Sequence, residues 1–150
     1  MADVVDKATR SRMMAGIRGR DTKPEITVRR IMFAAGLRYR LHRKDLPGSP
    51  DIVLSGKRVV VFVNGCFWHQ HSGCRFAKLP SSNQEFWFEK LRRNVERDRE
   101  SISALVDAGW RVLTIWECAV RDSNAVQTLS TRILTWLDAT DQVGEIGTDT

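Results

Sequence analysis

The sequence predicts an α/β sandwich in which a mixed sheet is flanked by helices. Two observations carry the prediction. Strand-like runs cluster in the middle of the 150-residue chain, with helix-periodic segments before and after them. The strongest run, Val59-Val60-Val61-Phe62-Val63, is apolar and rich in β-branched residues, as a strand favours. One domain is expected at this length.

Residues 1–20 form a basic arm with Lys7, Arg10, Arg12, Arg18 and Arg20 against Asp3 and Asp6. Met13, Met14 and Ile17 lie three and four apart, a spacing open to a short amphipathic helix or a frayed terminus. The first helix starts at Thr22, because Thr22 and Glu25 make a capping box and Pro24 suits the first turn. Val28, Ile31, Met32 and Ala35 follow helical spacing, and Gly36 stops it.

Residues 37–42 alternate basic and apolar and read as a short strand. Leu46-Pro47-Gly48-Ser49-Pro50 is a turn. Residues 51–54 and 58–63 are two more strands, joined by a tight turn at Ser55-Gly56. A Gly/Cys/His loop runs from Asn64 to about Pro80. A long helix over residues 84–108 turns Phe88, Leu91, Val95, Ile102 and Leu105 inward, and Gly109 ends it. Residues 111–116 are a fourth strand, and residues 123–137 a last helix with Val126, Leu129, Ile133 and Leu137 on one face. The expected organisation is an arm over residues 1–20, a globular domain over 21–138 and a disordered acidic tail over 139–150.

Charge points to the partner. Lys plus Arg number 24 and Asp plus Glu 18. The tail holds Asp141, Glu145 and Asp149 and no base, so the remaining 24 bases face 15 acids and residues 1–138 carry +9. A domain that basic favours a polyanion, most simply nucleic acid. The longest apolar run, five residues at Val59–Val63, cannot span a membrane, and the N-terminus lacks the apolar core of a signal peptide. A cytoplasmic protein is the expectation.

All three cysteines and two of the three histidines fall at Cys66, His69, His71, Cys74 and Cys118. The short spacing from Cys66 to Cys74 suits a loop folded round one ion, with Cys118 closing the set from after a strand. Closed thiolate and imidazole ligation selects zinc. Spacing allows either His69 or His71 as the ligand. The histidine left over is a candidate general base, and His42, in a basic strand well upstream, is expected to lie away from it. Asp51, opening a strand after Pro50, can present a carboxylate to a hard divalent ion of the kind used in phosphodiester hydrolysis. Phe67-Trp68 and Phe86-Trp87-Phe88 interleave with these residues. Trp68 and Trp87 suit either a wedge between base pairs or core packing, while Phe88 falls on the apolar stripe. Arg92, Arg93, Arg97 and Arg99 make a solvated helix face with some scope for phosphate contact.

These residues also carry a family resemblance. Asp6-Lys7-Ala8-Thr9-Arg10-Ser11, Arg20-Asp21-Thr22 with Glu25, Leu46-Pro47-Gly48 before Pro50-Asp51, Gly65-Cys66-Phe67-Trp68-His69, Glu85-Phe86-Trp87, Asn94-Val95-Glu96-Arg97-Asp98, Gly109-Trp110-Arg111-Val112-Leu113 and Trp116-Glu117-Cys118 resemble the very short patch repair (Vsr) DNA mismatch endonucleases over roughly residues 5–137. The resemblance implies a restriction-endonuclease-like fold with a structural Zn²⁺. It implies a Mg²⁺-dependent nick in double-stranded DNA, 5′ to the thymine of a T:G mismatch left by deamination of 5-methylcytosine. It further implies a cytosine-5 methyltransferase as companion, mismatch-repair proteins as partners and association with the nucleoid.

Carried over by position, Asp51 and the backbone carbonyl of Val63 bind Mg²⁺, His69 is the base, and Glu25 and Asn64 stand in the catalytic site. Cys66, His71, Cys74 and Cys118 take the zinc. Phe67, Trp68 and Trp87 enter the DNA from one groove, and Met14 and Ile17 from the other. The chain departs from the family pattern at Asn64, where a family member has histidine, at Val63, where it has threonine, and at the additional residue Gly73. Two rival readings are a restriction-type nuclease acting on unmismatched DNA and a zinc-stapled DNA-binding module without catalysis.

Overall fold

The computed structural model describes residues 21–148. The basic arm, with Met14 and Ile17, lies outside the described residues.

Helix α1 (Lys23–Ala34) begins as expected: the Thr22 hydroxyl accepts the Glu25 N–H at 3.4 Å and the Glu25 carboxylate accepts the Thr22 N–H at 3.0 Å. Strands β1 (Arg40–Leu41), β2 (Ile52–Leu54) and β3 (Val59–Asn64) follow. The first is shorter than the alternation at residues 37–42 predicts. The β2–β3 connection is a 3₁₀ turn over Ser55–Lys57, with Arg58 in the left-handed region at φ 56°. Helix α2 (Gln84–Asp107) leads to β4 (Arg111–Trp116). A short helix α3 (Glu117–Arg121), absent from the sequence prediction, precedes α4 (Ser123–Asp138), whose first turn is capped by the Asp122 carboxylate.

The sheet order is β1-β2-β3-β4-β5. The β1–β2 and β2–β3 pairs are antiparallel, and β3–β4 and β4–β5 are parallel. The fifth strand, Val143–Ile146, corrects the expectation of a disordered tail. It pairs with the otherwise open edge of β4 and buries Ile146 in the core. Gly144 gives it room to lie against the Trp136 indole, where a Cβ would collide. Arg111 reinforces the junction by stacking on Trp136 and donating to the Trp136, Leu137 and Asp141 carbonyls.

The central strands are mostly apolar on both sides, with Thr114 their buried polar residue, because both faces are covered. Ile52, Leu54, Val59, Val61, Leu113 and Ile115 pack with Val28 and Met32 of α1 and Leu129 and Ile133 of α4. Val53, Val60 and Val112 point the other way, onto Leu105 of α2 and Trp110. Helix α2 departs from the predicted stripe at its start. Its buried residues are Leu91 and Leu105, and Phe88 is 59% exposed, because the first two turns have no core to pack against. Among the described residues, no helix is long and apolar enough to cross a membrane.

Candidate active site and metal centre

The two site regions grow from the C-terminal ends of β3 and β4, where the chain leaves the parallel pair. A cleft of about 840 Å³ opens there, lined among others by Glu25, Asp51, Val63, Asn64, Phe67, Trp68, His69 and Asp98.

Asp51 stands just before β2, and its carboxylate accepts the Val63 N–H at 2.8 Å, which ties it to β3. Burial pushes the Asp51 carboxyl up to about 8, and its hydrogen bond with Glu25 adds to that. Burial would raise Glu25 as well. Hydrogen bonds from Asp51, the Thr22 N–H and His42 outweigh it and hold Glu25 below the ordinary carboxylate range. The pair therefore shares one proton between two carboxyls. Such a pair suits a hard divalent cation, which would replace the proton and satisfy both anions. Glu25 serves twice: the same side chain caps α1 and meets Asp51.

His42 overturns its expected remoteness. Its backbone N–H donates to the Asp51 carbonyl at 3.1 Å, and its Nε2 lies 3.3 Å from Glu25 Oε1. Sequence distance concealed this, because a two-residue β1 paired with β2 delivers residue 42 beside residue 51. Asp21, Glu25 and His42 could between them hold an ion. The Arg29 guanidinium already neutralises that group, 2.6 Å from Asp21 and 3.6 Å from Glu25.

The two histidines of the loop divide. His71 is buried and stacks on the Trp116 indole at 4.3 Å and 10°. Its Nδ1 stands 3.7 Å from Cys66 Sγ and 3.5 Å from Cys118 Sγ, and Cys74 completes the group. A tetrahedral ion with metal–sulfur bonds of about 2.3 Å and metal–nitrogen of about 2.05 Å requires a nitrogen–sulfur edge of about 3.6 Å. The cluster is built to that size and could hold such an ion. Burial raises the Cys66 thiol, with Cys118 and Cys74 beside it, and a bound cation reverses that penalty. The Cys118 N–H donates to Cys66 Sγ and the Thr148 N–H to Cys118 Sγ, at 3.3 and 3.4 Å.

His69 faces the cleft instead, its Nδ1 2.6 Å from Asp98 Oδ2. A carboxylate on Nδ1 fixes the imidazole and leaves Nε2 for the cleft, the arrangement of an oriented base. Sequence reasoning gave Asp98 no role. The available signal was its position one helical turn after Asn94, whose amide donates to the Trp68 carbonyl at 3.0 Å, so both residues face the loop.

Phe67, Trp68 and Trp87 are half-buried and meet edge to face with centroids 5.2–5.9 Å apart; Phe67 and Trp68 line the cleft, and Phe86 joins Trp87 at 5.3 Å. The cluster lies outside the three buried core groups. Asn64 ends β3 and lines the cleft.

Comparison with known proteins identifies the family. The profile of the family described as DNA mismatch endonuclease Vsr matches residues 2–75. The chain is 46% identical over 139 residues to the DNA mismatch endonuclease Vsr of Escherichia coli (strain K12), covering 91% of this chain and 88% of that protein. It is 43% identical over 134 residues to the type II nicking enzyme V.XorIIP of Xanthomonas oryzae pv. oryzae, covering 89% and 98%. It is also 43% identical over 122 residues to the type II nicking enzyme V.NmeAIP of Neisseria meningitidis, covering 81% and 86%. At 46% identity to a DNA mismatch endonuclease Vsr over 91% of its length, the chain that carries this cleft and this thiol–imidazole cluster belongs to the Vsr family of DNA mismatch endonucleases.

Proposed function

We propose that the protein nicks double-stranded DNA 5′ to the thymine of a T:G mismatch, in a Mg²⁺-dependent reaction that starts very short patch repair. The observation that carries this reading is the meeting of three functions in one cleft: the Glu25–Asp51 pair, the His69–Asp98 dyad, and Phe67 and Trp68, against which Trp87 packs. The fold is read as restriction-endonuclease-like.

Asp51 and the Val63 carbonyl would hold the Mg²⁺, with Glu25 bracing Asp51. Bound there, Mg²⁺ supplies Lewis-acid stabilisation of charge on the scissile phosphate. His69, fixed through Nδ1 by Asp98, takes the proton of the attacking water at Nε2. Asn64 can donate to a phosphate oxygen or accept from that water, but it cannot carry a proton. Phe67, Trp68 and Trp87 enter the stack beside the mismatch, where unstacking is least costly. Met14 and Ile17 of the arm are assigned the opposite groove. Cys66, His71, Cys74 and Cys118 would hold a structural Zn²⁺, and that ligand set would tie down the loop bearing Phe67, Trp68 and His69. The partners implied are DNA, a cytosine-5 methyltransferase whose deaminated product is repaired, and mismatch-repair proteins, with the enzyme acting at the nucleoid.

The test is strand-resolved nicking of T:G and matched duplexes across varied flanking sequence, with Mg²⁺ and with chelator. One Mg²⁺-dependent nick on the thymine strand of T:G duplexes is expected. Equal cleavage of matched duplexes would mark a restriction-type nuclease, and binding without nicking a DNA-binding module; either result overturns the reading.

A further inference from the structure

We propose that His42 is a positioning residue for the metal-binding carboxylates, its Nε2–H donating to Glu25 Oε1 and so fixing the carboxylate that faces Asp51. This rests on the reading that Asp51 binds a divalent cation.

The backbone is the first observation. His42 adopts φ 50°, in the left-handed region that a residue with a Cβ enters only at an energetic penalty. The bend follows immediately after β1, and the His42 N–H to Asp51 carbonyl bond, 3.1 Å, holds it. A strained turn thus carries the imidazole back from the sheet edge to the start of α1, where Glu25 sits.

The second observation is the condition of Glu25. The residue is only 2% exposed, so protein groups must satisfy its carboxylate. Oε2 takes the Thr22 N–H at 3.0 Å and faces Arg29 at 3.6 Å. Oε1 is met by His42 at 3.3 Å. Arg29 stands 3.3 Å from the same His42 nitrogen, but its closest bond is to Asp21 at 2.6 Å. Once a cation replaces the proton that joins Glu25 to Asp51, His42 is the donor left on Oε1; without it Glu25 is held through Oε2 only and can rotate away from Asp51. Partners one shell out from a metal's ligands typically change metal affinity by about 10–100-fold.

The experiment measures Mn²⁺ affinity by electron paramagnetic resonance on the full chain without DNA, for the parent, His42→Leu and His42→Gln, with Asp51→Asn as the control that removes the site. His42→Leu should weaken Mn²⁺ binding about tenfold or more. His42→Gln, which keeps a donor of similar reach, should stay within about threefold of the parent. A parent-like affinity in His42→Leu overturns the inference, and so does an equal loss in both variants, which would mark a merely structural residue. Nicking of a T:G duplex is scored separately. A parent that nicks while His42→Leu keeps its Mn²⁺ affinity defeats the inference and leaves the function. A parent that nicks no duplex, with Mn²⁺ binding lost in His42→Leu and kept in His42→Gln, supports the inference and defeats the function.

Discussion

Gly147→Ala tests how closely the C-terminal segment seals the thiol–imidazole centre. A Cβ at Gly147 would lie 2.6 Å from His71 Cε1 and 3.0 Å from Nε2, closer than carbon atoms pack. The ring has nowhere to go. It is stacked on Trp116, its Nδ1 faces two sulfurs, and Trp116 is itself held by Glu145 through a 2.7 Å hydrogen bond. The backbone after β5 must therefore lift, and the Thr148 N–H to Cys118 Sγ bond goes with it. Overpacking costs about 1–3 kcal/mol and a lost hydrogen bond about 0.5–1.5 kcal/mol. Together they give about 2–4 kcal/mol. At roughly 2–4 °C per kcal/mol for a chain of this size, Tm should fall by about 5–15 °C. The assay is thermal unfolding by circular dichroism with metal content measured alongside. Gly56→Ala is the matched control, since nothing lies within 4 Å of its Cβ, and it should move Tm by no more than about 2 °C. If Gly147→Ala melts with Gly56→Ala, the segment does not press on His71 and the reasoning fails.

Cys118→Ser should lower zinc content and Tm together, as removing a ligand removes folding free energy; a variant with full zinc and parental melting would take Cys118 out of the ligand set. Asp51→Asn should abolish Mg²⁺-dependent nicking yet make the metal-free protein more resistant to alkali. The Asp51 carboxyl rises from 3.8 to about 8 on folding, so the stability linked to its bound proton is present below about pH 4 and lost as pH climbs through about 8. Asn cannot ionise, and urea midpoints at pH 6 and pH 9 should differ less in the variant than in the parent; an unchanged difference refutes the pairing. Asp98→Asn should slow single-turnover nicking about 10–100-fold with duplex affinity unchanged, no more than the lower limit of the general-base range of roughly 100–10,000-fold, because His69 itself remains and the His69–Asp98 pair is about one-third exposed, so water can replace part of the contact. A rate within twofold of the parent removes the dyad. Trp68→Ala should weaken binding to T:G duplexes about tenfold or more and to matched duplexes less; equal losses would mean that Trp68 only packs.

Local signals were legible in the sequence because their causes lie within a few residues. The Thr22–Glu25 capping box, the apolar run of β3, the Gly109 stop and the Cys66-to-Cys74 spacing each encode their geometry in neighbouring positions, and the structure has all four. The family resemblance rested on the same short segments. What the tertiary structure alone decided was which distant groups share a space. It assigned His71 to the thiols and His69 to Asp98, 29 positions away, a choice that spacing left open. It brought His42 to Glu25 through the pairing of β1 with β2, and it turned residues 143–146 of the acidic tail into a strand because β4 offered an open edge and Trp136 a surface that glycine could approach. It exposed Phe88, although the residue fits the apolar stripe, because periodicity defines a face of a helix but not how far the core beneath it extends. The sequence specifies conformations that are stabilised locally; the partners of a histidine, a tail or a helix end depend on the packing of the whole chain.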